Sequence, residues 1–206
     1  MTKKYDIHPD FARFPVLNFK FNALPLWVIN TLTGIMCFFT WRALKVERDE
    51  HHVTRADGSR LRVFTMTPDD LAKPAPALVY YHGGGFAITY STLHLNNCAR
   101  YANEAGCIVV FVDYRLAPKH PFPDGFDDSY SALEWVVRQA DSLGVDSSRI
   151  AVGGDSAGGA LAAGVAQKAR DQNLLSLCAQ LLIYPVLDNS CSTRTATEFV
   201  DVPLWN

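Results

Sequence analysis

Short, unbroken apolar runs recur through the chain at residues 77–81, 107–112, 150–152 and 181–184, separated by longer segments of mixed character. Runs of this length without polar interruption predict strands buried on both faces. Between the second and third, Phe126, Tyr130, Leu133, Val137 and Ala140 fall at i, i+4, i+7, i+11 and i+14, one face of a helix with Asp124 as its expected N-cap. Strand alternating with helix implies a mostly parallel sheet covered by helices. Ahead of it, extended segments at 53–55 and 61–66 flank Ala56-Asp57-Gly58-Ser59, where Asp-Gly predicts a tight hairpin and so an antiparallel edge. The chain is therefore read as α/β, without internal repeat or low-complexity tract.

The leader is different. Residues 24–41 are strongly apolar but contain Asn30, Thr31, Thr33 and Thr40, and they fall slightly short of the ~20 residues of a bilayer span. As a helix opened by Pro25, the stretch lines up Asn30, Thr33, Cys37 and Thr40 at i, i+3, i+7 and i+10 and leaves its other faces apolar. That suits a helix packed under a cap, or one in peripheral contact with a lipid surface. The packed cap is preferred to a span, because interior polar groups are costly in hydrocarbon. After Arg42 the composition turns abruptly to Lys45, Glu47, Arg48, Asp49 and Glu50, which sets a boundary between a leader at 1–44 and a body at 45–206.

Composition narrows the function classes. With 19 basic and 21 acidic residues the net charge is -2, which leaves no electrostatic footprint for nucleic acid. A neutral or small substrate is expected. The five cysteines follow neither CxxC nor a metal-ligand spacing, so a reduced, cytoplasmic setting and no metal are expected. His51 and His52 are adjacent on an expected strand and point to opposite faces, which also argues against metal ligation. The glycine clusters match neither GxGxxG nor GxxxxGK[ST], and no cofactor is expected.

The chemistry concentrates in two motifs. Gly153-Gly154-Asp155-Ser156-Ala157-Gly158-Gly159 follows the 150–152 strand and leads into an Ala/Gly-rich helix. A serine at a sharp strand-to-helix turn projects its hydroxyl only if Gly154 and Gly158 let the two backbones approach closely. The positive end of the helix then lies where an oxyanion would form. Without that strand and helix, the plain alternative is a glycine-rich packing turn. The second motif, His82-Gly83-Gly84-Gly85-Phe86, directly follows the 77–81 strand. A glycine run there frees backbone N–H groups to hold the negative oxygen of a tetrahedral intermediate, where the plain alternative is a flexible loop.

Through His82 to Phe86, Asp113-Tyr114-Arg115-Leu116-Ala117-Pro118 and Gly154 to Gly159, the chain resembles the hormone-sensitive-lipase-like carboxylesterases of the α/β-hydrolase superfamily, over residues 46–188. The resemblance implies an α/β-hydrolase fold, incomplete at its C-terminus, with an N-terminal helical cap that closes over the acyl pocket. It implies Ser156 as nucleophile and the N–H groups of Gly84, Gly85 and Ala157 as oxyanion hole. His82, Gly83, Gly154, Asp155 and Gly158 support the motifs, with His82 shaping the loop rather than acting as base. Asp113 and Arg115 are expected in an ion pair that holds the loop wall. Lys119 departs from the family, which usually has a glutamate there.

In this fold the triad runs serine, acid, histidine. All six histidines, His8, His51, His52, His82, His94 and His120, precede Ser156. Asp171, Asp188, Glu198 and Asp201 follow it, but neither Asp171 nor Asp188 falls at the late strand end that supplies the family's acid. The expectation is a piece of a longer esterase acting on short- to medium-chain esters, poorly active alone, since a serine without a base is a weak nucleophile. The alternative is a non-catalytic chain that binds hydrophobic ligands or a partner chain. Amidase, deacetylase or acyltransferase chemistry would use the same parts.

Overall fold

The computed structural model describes residues 8–12, 26–55, 57–190 and 192–198. In chain order the elements are α1 (Pro9–Ala12), α2 (Leu26–Ala43), β1 (Glu47–Thr54), β2 (Arg60–Thr67), β3 (Ala75–Tyr81), α3 (Thr92–Ala105), β4 (Ile108–Asp113), α4 (Asp124–Arg138), α5 (Ala140–Leu143), β5 (Val145–Asp155), α6 (Ala157–Asp171), β6 (Ala179–Ile183) and α7 (Arg194–Glu198). Leu26–Leu187 forms one compact unit and carries the whole sheet, whereas α1 and α7 fall outside it.

The six strands lie in the order β1-β2-β4-β3-β5-β6. β1 with β2 and β2 with β4 are antiparallel, and the remaining pairs are parallel. The expected hairpin and the four expected strands are all present. In β3, β4 and β5 the unbroken apolar character has the anticipated cause, whereas the run at 181–184, expected to be buried on both faces, supplies an exposed edge strand because no further described strand covers it. Val79, Tyr81, Ile108, Val110 and Val112 pack on one face with residues of α4 and α6, while Leu78, Tyr80, Val109 and Phe111 pack on the other with α2 and α3. This is an α/β-hydrolase fold, and the free edge strand β6 stays largely exposed.

On α2 the polar and small stripe faces inward. The Asn30 amide donates to Ala87 O (3.1 Å) and accepts from Thr89 N (3.0 Å), and Cys37 Sγ donates to Tyr90 O (3.4 Å). Trp41 completes this seam against Phe64 and Phe111. The helix satisfies its polar groups on the body and turns Leu32, Ile35, Met36, Phe38 and Phe39 outward. Among the described residues no helix is long and apolar enough to cross a membrane.

Two local expectations need correction. Asp124 is the first residue of α4, not its N-cap; that position falls to Pro123, and no side chain caps the helix. The Asp124 carboxylate is instead held by His120 Nδ1 (3.2 Å) and Arg115 Nη1 (3.3 Å). Nor do Asp113 and Arg115 pair with each other: Asp113 takes Arg62 (2.6 Å), and Arg115 turns to Asp128 (2.9 Å), which also takes Arg55 (2.6 Å). The reason is burial. Asp128 is 1% exposed, and a carboxylate so enclosed needs both guanidiniums to offset its lost hydration.

Asp128 thereby ties the end of β1, the loop after β4 and the start of α4 together. Burial pushes its carboxyl up, but the hydrogen bonds from Arg55 and Arg115 outweigh that and hold it below the ordinary 3.8. An acid depressed in the folded state contributes stability that is complete above its unfolded pKa and lost as pH falls through the folded value. Asp128→Ala should cost about 3 kcal/mol in urea unfolding at neutral pH. The fall in stability below pH ~4 should be shallower in Asp128→Asn than in the wild type.

Candidate active site

The 153–159 segment forms the anticipated turn between β5 and α6. Ser156 sits at its apex with φ 51° and ψ −119°, a positive-φ conformation that costs a non-glycine residue roughly 1–3 kcal/mol. The surroundings hold it there. Its N–H donates to Ile183 O (2.9 Å), and its carbonyl accepts from Ala160 N (3.1 Å) and Val186 N (3.2 Å). The backbone is pinned while the hydroxyl stays free: among the described residues, Ser156 Oγ has no hydrogen-bond partner.

Glycines make the close approach. A Cβ on Gly158 would strike the carbonyl oxygens of Tyr81 and His82, and one on Gly154 would strike Gly158 and the Tyr81 carbonyl. The end of β3 and the first turn of α6 therefore meet backbone to backbone. This brings the His82 to Phe86 loop beside Ser156.

That loop is held by Asp155. Its Oδ1 accepts from Gly83 N (3.0 Å) and Tyr80 Oη (2.8 Å), and its Oδ2 lies 3.2 Å from His94 Nε2. His94 Nδ1 accepts from Ser91 N (2.8 Å), so the neutral ring carries its proton on Nε2 and donates it to Asp155. Burial pushes the Asp155 carboxyl up, but the His94, Tyr80 and Gly83 interactions outweigh it and hold the group below its ordinary range.

His82 is fully buried, stacked on Tyr114 with ring centroids 4.4 Å apart. Its Nδ1 donates to Gly83 O (2.7 Å), which leaves Nε2 bare and without a partner. Burial, then the neighbouring His94, lowers its pKa to about 3. Tying the Gly83 carbonyl to His82 turns the Gly84 N–H, which shares its trans peptide unit, the opposite way. Gly84 continues the turn at φ 125° with its carbonyl accepting from Ala87 N and Ile88 N. The N–H groups of Gly84, Gly85 and Ala157 make no hydrogen bond among the described residues. Such amides can take charge that develops on a substrate oxygen.

An apolar cavity of about 460 Å³ adjoins the loop, lined by Gly85, Phe86, Phe122, Phe126, Ala160 and Leu161 among others. No group of three or more potential metal ligands occurs among the described residues.

Ser156 with the supporting Asp155, and the glycine loop, thus come from two separate parts of the chain to one end of the parallel strands. Sequence reasoning missed His94 and Tyr80. The one trace of His94 is its place three residues after Ser91, where a capping box usually has Glu or Gln.

Comparison with known proteins bears on the family and the fold. A family model described as alpha/beta hydrolase fold matches residues 78–206. Carboxylesterase NlhH of Mycobacterium tuberculosis is 50% identical over 129 residues, covering 63% of this chain and 40% of that protein. Esterase LipI of the same organism is 44% identical over 147 residues, covering 71% and 45%. Among solved structures, a bacterial heroin esterase superposes with TM-score 0.83 at 39% identity over 93% of this chain and 61% of the other. Esterase LipW from Mycobacterium marinum gives 0.81 at 36% identity over 91% and 60%. The chain spans less than half the length of these two curated relatives.

The packing predicts a contrast between glycines. Gly158→Ala should destabilise by about 3 kcal/mol, since backbone rather than a flexible side chain stands in the way. Gly34→Ala on α2, where a Cβ meets nothing within 4 Å, should stabilise by roughly 0.5–1 kcal/mol. Urea unfolding of both variants checks the pair.

Proposed function

The chain belongs to the alpha/beta-hydrolase-fold family, among its hormone-sensitive-lipase-like carboxylesterases, and from that membership we propose that the whole protein hydrolyses short- to medium-chain carboxylic esters through an acyl-serine intermediate. Ser156 Oγ attacks the ester carbonyl, and the carbonyl oxygen takes the negative charge of the tetrahedral intermediate. The N–H groups of Gly84, Gly85 and Ala157 stabilise that charge, assisted by the positive end of α6. Expulsion of the alcohol leaves the acyl group on Ser156, and water releases it as the acid. His82 and Asp155 shape the loop and take no proton in this reading.

The observation that carries the proposal is the strained Ser156, whose hydroxyl is unpartnered beside a loop with free amides. The 460 Å³ apolar cavity supports an acyl group of modest size. The relatives' names, carboxylesterase and esterase, support the ester class. In the same reading residues 1–44 act as cap and 45–206 as hydrolase core. The free thiols of Cys37, Cys98, Cys107 and Cys178 support a reducing, cytoplasmic setting.

A second reading, binding of a hydrophobic ligand or partner chain without turnover, is favoured by the histidines. His82 is committed to Gly83 and His94 to Asp155, and no described imidazole hydrogen-bonds Ser156. Serine without a base is a weak nucleophile, although oxyanion stabilisation alone retains some acceleration over water.

A fluorophosphonate probe separates the readings. The expected result is a slow, covalent adduct that maps to Ser156 and is absent from Ser156→Ala, together with weak hydrolysis of p-nitrophenyl butyrate lost in the same variant. An adduct on another residue, or ester turnover that survives Ser156→Ala, would refute the catalytic assignment.

A further inference from the structure

A second cavity, of about 790 Å³, lies between α2 and the loop after β4, lined by Leu26, Trp27, Asn30, Leu116, Pro118 and Lys119 among others. Tyr114, Ala117 and His120 line both this cavity and the one beside α6, so a single loop wall separates the two.

Most polar groups around the second cavity are already engaged. The Asn30 amide is spent on Ala87 and Thr89, the Tyr114 hydroxyl donates to His82 O (2.7 Å), and His120 Nδ1 faces the Asp124 carboxylate. Arg115, at the neighbouring wall, has its charge matched by Asp57, Asp124 and Asp128. Lys119 is the exception. It lines the cavity, it is exposed, and among the described residues its ammonium has no carboxylate partner. Among the described residues no acidic side chain lines the cavity either. Carbon walls with one uncompensated cation favour a molecule that is apolar along its length and singly negative at one end.

We propose that this cavity is a carboxylate-binding subsite in which Lys119 receives the anionic end of an amphipathic ligand. Resting on the esterase reading, this favours ester substrates that carry a free carboxylate remote from the ester group. The preference for an anion needs no catalysis, and the site is testable on the chain itself.

The test is a fluorescence titration of the protein with 11-(dansylamino)undecanoic acid and with its methyl ester, at neutral pH and low salt. The ionised acid should bind about fivefold tighter than the neutral ester, as expected for one partly solvated charge pair, and the advantage should shrink at high salt. Lys119→Met should erase the difference and Lys119→Glu should reverse it, with unchanged circular dichroism and unchanged binding of the methyl ester. Equal affinity for the two ligands, no saturable binding, or an acid preference that survives Lys119→Met would overturn the proposal. Ser156→Ala should leave the titration unaltered. Failure of the acyl-serine mechanism and failure of the anion subsite therefore give different results.

Discussion

A Cβ at residue 158 would occupy the space of the Tyr81 and His82 carbonyl oxygens, so the end of β3 and the start of α6 meet only because that side chain is missing. Everything at the site follows from this contact. It brings two loops that are distant in sequence within hydrogen-bonding range, and it forces the intervening chain into a turn too sharp for ordinary backbone angles. Ser156 bears that strain at φ 51°. β6, the segment just beyond it and α6 then lock it, since its N–H is bonded to Ile183 and its carbonyl to Val186 and Ala160.

Asp155 turns proximity into rigidity. A nearly buried carboxylate is tolerable only when its oxygens are matched by donors, and here the donors belong to β3, the glycine loop and α3. The match fixes more than the acid. His94 holds one tautomer because Ser91 N–H occupies its other nitrogen, and Gly83 is held between Asp155 through its N–H and His82 through its carbonyl. The loop that carries the free amides is thereby prepared before any ligand arrives, the condition under which oriented dipoles stabilise developing charge most effectively.

Much of this was legible in the chain and some was not, for physical reasons. The central strands β3, β4 and β5 declared themselves because burial on both faces removes polar residues from them. The glycine motifs were legible because close backbone approach and positive φ leave few other residues possible. The inward stripe on α2 was visible as a pattern, but its direction was not: Asn30 and Cys37 found partners at Ala87, Thr89 and Tyr90, so the polar side packed and the apolar side stayed outside. Asp124 has the chemistry of a cap, yet arginine and histidine neighbours drew it away. His94 was hidden most completely. It meets Asp155 across 61 residues, and no local pattern reports a contact closed only by the fold.

Several polar atoms of the glycine loop and of the turn at Ser156 have no hydrogen-bond partner among the described residues. Buried polar groups in a native fold are paired unless function leaves them open. Among the described residues the one buried side-chain atom left open is His82 Nε2, and in the partly exposed turn and loop beside it Ser156 Oγ and the amides of Gly84, Gly85 and Ala157 make no hydrogen bond among the described residues either. His82 Nε2 has a basic lone pair, but a general base needs a pKa near the working pH and contact with the proton it removes. His82 meets neither condition: burial, then His94, holds it at about 3, and it is stacked on Tyr114 with no bond to the hydroxyl. It is a wall that orients a carbonyl. The strain, the free amides and the unpartnered hydroxyl meet at the turn between β5 and α6, and in the proposed acyl-serine reading the Ser156 proton passes to a group other than His82 and His94, which are already engaged.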